Sequence, residues 1–199
     1  SGSLSYSATN PVLGVSWRAA PALNVYANAG QGFETPTFTE LSYRPNGLTG
    51  LNTDLKASTS RHAEIGAKWK YAGAQRLDVA LFDIATRDEI VVDTNAGGRS
   101  TFKNAGKTSR RGIEFSHLGQ LGETLRSTLS VTLMRARFNS DFISGAGSTN
   151  NVFSGYHLPA TPERNLFAEL AWAPRGAWGG FNGAAEVVHT DKLYVNDTN

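Results

Sequence analysis

Eight segments of this chain alternate apolar and polar side chains with a period of two, and the connections between them are short and long by strict turns. "VLGVSWRA" puts Leu13, Val15 and Trp17 on one face. "ALNVYANAG" sets Leu23, Val25 and Ala27 against Asn24, Tyr26 and Asn28. "HAEIGAKWKY" sets Ala63, Ile65, Ala67 and Trp69 against Glu64, Gly66, Lys68 and Lys70. "RLDVALFDIATRDEIVV" reads as one longer strand that alternates less cleanly, with Leu77, Val79 and Leu81 opposite Asp78, Ala80 and Phe82. "RGIEFSHL", "STLSVTLMRAR", "RNLFAELAW" and "GFNGAAEVVH" repeat the pattern. Side chains of a strand point alternately to its two faces, so each segment is an amphipathic strand. No helical stripe of comparable length competes with them.

The short connections lie near 20–22, 73–75, 119–123 and 174–180, the long ones at 32–57, 93–101 and 139–160. The long ones are rich in Gly, Asn, Ser, Thr and Pro. An up-and-down meander with tight turns at one end and large loops at the other satisfies this order. Outer-membrane barrels have that asymmetry, with strands of about ten alternating residues. Trp17, Trp69 and Trp172 each lie close to a short turn, and Trp178 lies just beyond the last one. An aromatic girdle at a membrane interface places tryptophans there. A soluble β-sandwich also alternates and turns every 8–12 residues. It does not account for the loop asymmetry or for the small, mixed polar residues of the second face. The expected fold is all-β: an antiparallel up-and-down transmembrane β-barrel, present as about eight strands of a larger barrel.

Composition removes several function classes. Charged residues are 18% and the net charge is +2, so no polybasic stripe marks a nucleic-acid binder. There is no cysteine, which excludes disulfides, thiol catalysis and Cys-bound metal. No apolar run approaches the ~20 residues of a spanning helix, a limit that does not apply to barrels. The four histidines, His62, His117, His157 and His189, lack metal-ligand spacing. Asp83, Asp88 and Glu89 are close in sequence but read as lumen or headgroup residues of a strand end rather than an acid/base pair. No G-x-S-x-G elbow occurs, and "GQGFE" lacks the third glycine and helix of a dinucleotide site. No catalytic residue, metal or cofactor is expected.

"GQGFETPTFTEL" follows the second strand. Gly30 and Gly32 let the backbone leave the sheet, and Thr35, before Pro36, is extended. Phe33 and Phe38 are expected to anchor the loop base, and Glu34 and Glu40 to bond nearby backbone or face the lumen. This stretch resembles the sequence after a barrel strand in TonB-dependent outer-membrane receptors. "LKASTSRHAEIGAKW" is similar to the family's Leu-Lys-Pro-Glu-x-Ser-x-x-x-Glu-x-Gly segment, with Ala57 and Ser58 where Pro-Glu is usual. "FKNAGKTSRRGIEF" resembles its Asn-x-Gly-x-x-x-x-x-Gly-x-Glu strand, and "LYVNDTN" also looks like siderophore-type members. The motifs keep family order over nearly the whole chain.

The resemblance implies a Gram-negative outer-membrane receptor that binds and imports a ferric siderophore or similar scarce metal chelate with TonB-coupled energy. Residues 1–199 would be a barrel segment from the C-terminal half of such a receptor, the plug domain and final strands lying outside it. The implied partners are the TonB complex, reached through the plug, an iron–siderophore or similar small ligand, and outer-membrane lipid. Tyr43, Arg44, Tyr156 and His157 fall in long loops, where binding residues concentrate, and are the candidate ligand contacts. Lys103, Lys107, Arg110 and Arg111 form either an electropositive mouth for an anionic ligand or strand ends paired with acids, and the second reading is preferred. The competing functions are a passive porin-like small barrel and a soluble glycan-binding sandwich.

Overall fold

The computed structural model describes residues 3–72, 74–144 and 151–198. The expected turn at Gly73 and the part of the third long loop at 145–150 lie outside the described residues. In chain order the elements are β1 (Val12–Ala20), β2 (Leu23–Glu34), α1 (Phe38–Leu41), β3 (Ser58–Tyr71), β4 (Gln75–Arg87), β5 (Ile90–Ala96), β6 (Arg99–Asn104), β7 (Lys107–Leu121), β8 (Leu125–Phe138), β9 (Phe142–Ile143), β10 (Asn151–Val152), β11 (Arg164–Trp172) and β12 (Gly183–Thr190). Eight strands form one sheet in the order β1-β2-β3-β4-β7-β8-β11-β12. Every neighbouring pair is antiparallel, so the sheet is a meander. The sheet is open: among the described residues β1 and β12 each pair on one side only.

The register sorts the side chains into two faces. One row crosses all eight strands as Trp17, Val25, Ala67, Val79, Phe115, Val131, Leu166 and His189. The next outward-facing row is Val15, Ala27, Ile65, Leu81, Ile113, Leu133 and Arg164. Between them runs Ser16, Tyr26, Gly66, Ala80, Glu114, Thr132, Asn165 and Thr190, on the other face. Directly opposed residues share a face, so the period-two pattern of each strand sums to one apolar and one polar surface.

The apolar face covers nothing. Ile65 is 53% exposed and Leu133 45%, and no second layer packs on them among the described residues. This removes the sandwich, whose inner faces must interdigitate. The packed core lies instead at the loop end of the polar face. There Phe138 and Val152 are fully buried with Ala105, Ala136 and Leu158, and Val91, Phe142 and Tyr156 pack against them.

The long connections hold structure that the sequence reading left as loop. The segment expected to run as one strand through Val92 breaks after Arg87. Asp88 takes φ 56, the left-handed region, and the chain turns into the separate β5–β6 hairpin. A residue at that φ cannot continue a β ladder, so the alternation resumes in a new sheet. β9 and β10 form a second small hairpin. After β2, Thr37 caps α1 in a reciprocal box: Glu40 N donates to Thr37 Oγ1 at 3.3 Å, and Glu40 Oε2 accepts from Thr37 N at 2.6 Å. Glu40 therefore bonds backbone as expected. Phe38 does not anchor the loop: it is 77% exposed, while neighbouring Pro36 is buried.

Two glycines in the wall have partners that need them. Tyr26 and Gly66 are directly opposed, as are Phe82 and Gly112. A Cβ at Gly66 would lie 2.6 Å from the Tyr26 ring, and one at Gly112 would meet first the Leu133 carbonyl oxygen at 2.4 Å and then Phe82 at 2.7 Å. Each ring thus lies over bare backbone on the polar face, the arrangement in which an aromatic covers a strand glycine. Gly66→Val is expected to destabilise the folded protein by about 1–3 kcal/mol, the usual range for overpacking. In a Tyr26→Ala background the same change should cost little. Denaturant midpoints in detergent micelles read both, and equal losses in the two backgrounds would refute the pairing.

Candidate ligand-binding site

The strands place two chemically different ends on the sheet. At the turn end of the apolar face stand Trp17, Trp69 and Trp172, with Tyr71 stacked against Trp69 at 4.7 Å between ring centroids. At the loop end the same face turns charged, with Asp83, Arg111 and Arg135 directly opposed in one row. Between these limits β3 runs outward-facing from Trp69 through Ala67 and Ile65 to Ala63. Tyr71 to Ala63 is eight residues, about 27 Å along a strand at ~3.4 Å each. At the 35–45° tilt of barrel strands that is roughly 20 Å of height, close to the ~25 Å apolar band of outer-membrane barrels. His117 and Ser127 interrupt the band, and they bond each other, Nε2···Oγ 3.2 Å.

The polar face is the one the loops cover. Val152 and Leu158 from the long loop pack on Ala136 and Phe138, which share that face with Thr108 and Arg110. A cleft of about 800 Å³ opens there, lined by residues of β5 together with Arg110, Phe138, Pro159 and Asp197. Its charges are built into pairs. Arg110 forks onto Glu89, Nη2–Oε1 2.8 Å, and Thr108 Oγ1 donates to Glu89 Oε2 at 2.7 Å. Lys103 Nζ sits 2.6 Å from Asp93. Burial raises the Asp197 carboxyl above its usual range, and the Lys103 charge opposes that rise. Arg111, on the opposite face, pairs with Asp83 at 2.5 Å. Lys103, Arg110 and Arg111 are thus paired with acids, as the preferred reading expects, whereas Lys107 forms no ion pair among the described residues and stands opposite Arg87; only Arg110 of the four lines the cleft.

The four loop candidates are distributed over two loops. Tyr43, after α1, carries the Arg99 guanidinium over its ring at 5.1 Å. Arg44 pairs with Asp54 at 3.5 Å, and its buried Nε has no hydrogen-bond partner among the described residues. Tyr156 packs on the Phe138 cluster, with Phe153 at 5.6 Å between centroids. His157 accepts a bond from Arg137 Nη1 at 2.9 Å when its Nδ1 is unprotonated, and its ring stacks on Tyr194 at 4.4 Å. None of the four lines the 800 Å³ cleft. The cleft residues Glu89, Asp93 and Asp197 carried no distinctive spacing in the sequence. The β5–β6 hairpin brings Asp93 to the cleft next to Glu89, and the segment after β12 brings Asp197.

A one-sided apolar wall, girdled by aromatics and capped by loops on its polar side, defines the wall of a transmembrane β-barrel. The family described as TonB dependent receptor-like, beta-barrel, matches residues 1–199, and the chain belongs to that family. It is a receptor barrel segment and not an enzyme. Solved structures agree in fold. The ferric yersiniabactin uptake receptor FyuA from Yersinia pestis aligns at TM-score 0.68 and 17% identity, over 94% of this chain and 26% of that one. The ferric-catecholate import receptor Fiu from K12 E. coli aligns at 0.60 and 24%, over 82% and 22%. The siderophore receptor PirA from Pseudomonas aeruginosa aligns at 0.61 and 22%, over 83% and 28%. The chain therefore spans about a quarter of the length of these receptors.

The loop over the cleft is expected to respond to pH. Burial and the Arg137 charge hold His157 below its ordinary 6.5, with Glu163 opposing. The hydrogen bond from Arg137 holds Glu163 below its ordinary 4.5. Both groups are depressed on folding, so their contribution is complete above pH 6.5 and is lost as pH falls, first at His157 and then at Glu163. The Leu158 amide, which donates to Ala136 O at 3.2 Å, should exchange faster below about pH 6 once intrinsic rates are corrected. Unchanged protection between pH 7.5 and 5 would refute this coupling.

Proposed function

We propose that this chain forms about eight strands of the barrel wall of a receptor that binds and imports a ferric siderophore or similar scarce metal chelate with TonB-coupled energy. The single observation that carries the reading is the wall itself: hydrocarbon-compatible on one face, hydrated and loop-covered on the other. A plug domain and the remaining strands lie elsewhere in the receptor, and residues 1–199 act as one barrel segment in the outer membrane of a Gram-negative cell. The open edges of β1 and β12 support this, because hydrocarbon leaves no partner for unpaired backbone groups.

No covalent chemistry is required of the segment. Its work is to hold the loops over the barrel mouth and to close the wall against leakage. Tyr43, Arg44, Tyr156 and His157 supply the loop contacts to ligand, the arginine suited to the negative charge of a catechol- or hydroxamate-bearing chelate and the rings to stacking on its aromatic parts. Beneath them the cleft over Arg110 and Asp197 forms part of the vestibule.

The reading is tested by iron supply. Iron-starved cells expressing the full receptor are expected to grow on a panel of ferric catecholates and hydroxamates only when TonB is present. Growth that is indifferent to TonB would favour passive diffusion through a pore and overturn active import. The wall is tested separately. Val131→Arg, on the apolar face, should cost about 2–4 kcal/mol of folding stability in lipid vesicles. Thr132→Arg, one residue on and facing Glu114, should cost far less. Equal costs would sink the lipid-facing assignment.

A further inference from the structure

The cleft under the loops holds one acid more than its cations answer. Its charged lining residues are Glu89, Asp93, Asp197 and Arg110. Arg110 forks onto Glu89, and Lys103, from outside the lining, holds Asp93 at 2.6 Å. Lys103 Nζ also donates to the Ile143 carbonyl. Asp197 is left over. Only 9% of it is exposed, and its carboxylate makes no ion pair or hydrogen bond among the described residues. The Lys103 charge acts on it at a distance, without a bond. A buried carboxylate without a donor is costly, because it has lost its water and gained no partner in return.

The surroundings narrow what that partner can be. Three acids stand against two cations, so a neutral hydroxyl or amide would bond Asp197 and leave its charge standing. A metal ion needs several free ligands, and no group of three metal-ligating side chains occurs among the described residues. A protonated amine brings one positive charge and three donors on a single atom. Val91, Leu158 and Val195 line the same cleft, and apolar walls suit the methylene stem behind such a head.

We propose that Asp197 receives a protonated primary amine carried by the transported ligand, the methylene stem of that arm lying against Val91, Leu158 and Val195. The inference rests on the chelate-import reading and adds to it the class of chelate: one that keeps a free alkylammonium arm beside its metal-binding groups. The arm neutralises the carboxylate in a site where a charge-assisted bond is strong.

The test uses the full receptor in detergent and matched pairs of ferric trihydroxamates and ferric tris-catecholates. Each is made once with a terminal primary amine and once with that amine acetylated. Titration calorimetry reads both affinities, and their ratio is the quantity of interest. In at least one class the amine form is expected to bind about ten-fold tighter than its acetylated partner, the scale of one hydrogen bond between charged groups. Asp197→Asn and Asp197→Ser should each bring the ratio close to one, and Asp197→Glu should retain part of the preference. Glu123→Gln, at the turn end of the sheet, should leave the ratio as it is. Chelates that bind equally well in both forms overturn the amine assignment and leave chelate import standing. An amine preference that survives both removals of the Asp197 charge in folded receptor overturns the role of Asp197. If no chelate of either class binds in either form, the import reading fails and this inference fails with it.

Discussion

Backbone hydrogen bonding sets every other feature of this wall. Hydrocarbon offers no donors or acceptors, so a strand enters it only with its N–H and C=O groups paired to neighbours. The continuous antiparallel ladder from β1 to β12 meets that requirement across the sheet. Once the ladder exists, register decides which side chains meet lipid. A slip of one residue between β3 and β4 would move Ile65 and Leu81 out of their shared row and place a charge such as Glu64 opposite Leu81. The Trp17-to-His189 row is therefore a consequence of pairing and patterning acting together, with stability coming from the ladder and the lipid rather than from a buried core. The few fully buried side chains, Phe138 and Val152 among them, lie where the wall leaves the bilayer and water is present on the loop side.

Most of the wall was legible from the sequence because its periodicity holds along most of each strand, with interruptions such as His117 and Ser127. Leu129, Val131 and Leu133 could belong only to a half-apolar strand, and the alternation of short and long connections fixed a meander before any pairing was known. What escaped was structure whose signal is local and weak. Asp88 looks like an ordinary polar residue, yet its left-handed φ ends β4 and starts a separate hairpin. The Thr37–Glu40 capping box covers a helix of four residues, too short to show a hydrophobic stripe. The site was less legible than the fold. Glu89 and Arg110 are 21 residues apart and meet only because the β5–β6 hairpin folds over the strand end. Loop position alone could nominate Tyr156 or His157, but it could not show that one packs in a core while the other is bonded to Arg137.

The two borders of the apolar band use different chemistry for a physical reason. At the turn end the border is aromatic, with Trp69 stacked on Tyr71, and flat amphipathic rings tolerate a range of depths in the interface. At the loop end it is ionic, with Asp83, Arg111 and Arg135 in one row. Charged groups fix depth more sharply, since an arginine drawn toward the bilayer centre costs about 2–4 kcal/mol. An ionic border therefore resists vertical displacement more strongly than an aromatic one.

The edges carry the argument beyond this sheet. Among the described residues β1 and β12 each have one paired and one unpaired side, and both expose apolar residues such as Val15 and Val187. An apolar sheet with open edges is unstable in hydrocarbon and aggregation-prone in water. The wall becomes a permeability barrier only when further strands pair with both edges, and receptors of this family whose structures align here are about four times as long. The luminal face then looks inward on a large space rather than on itself. Its row of Tyr26, Glu114, Thr132 and Asn165 is polar because side chains from the wall alone cannot fill an interior of that width.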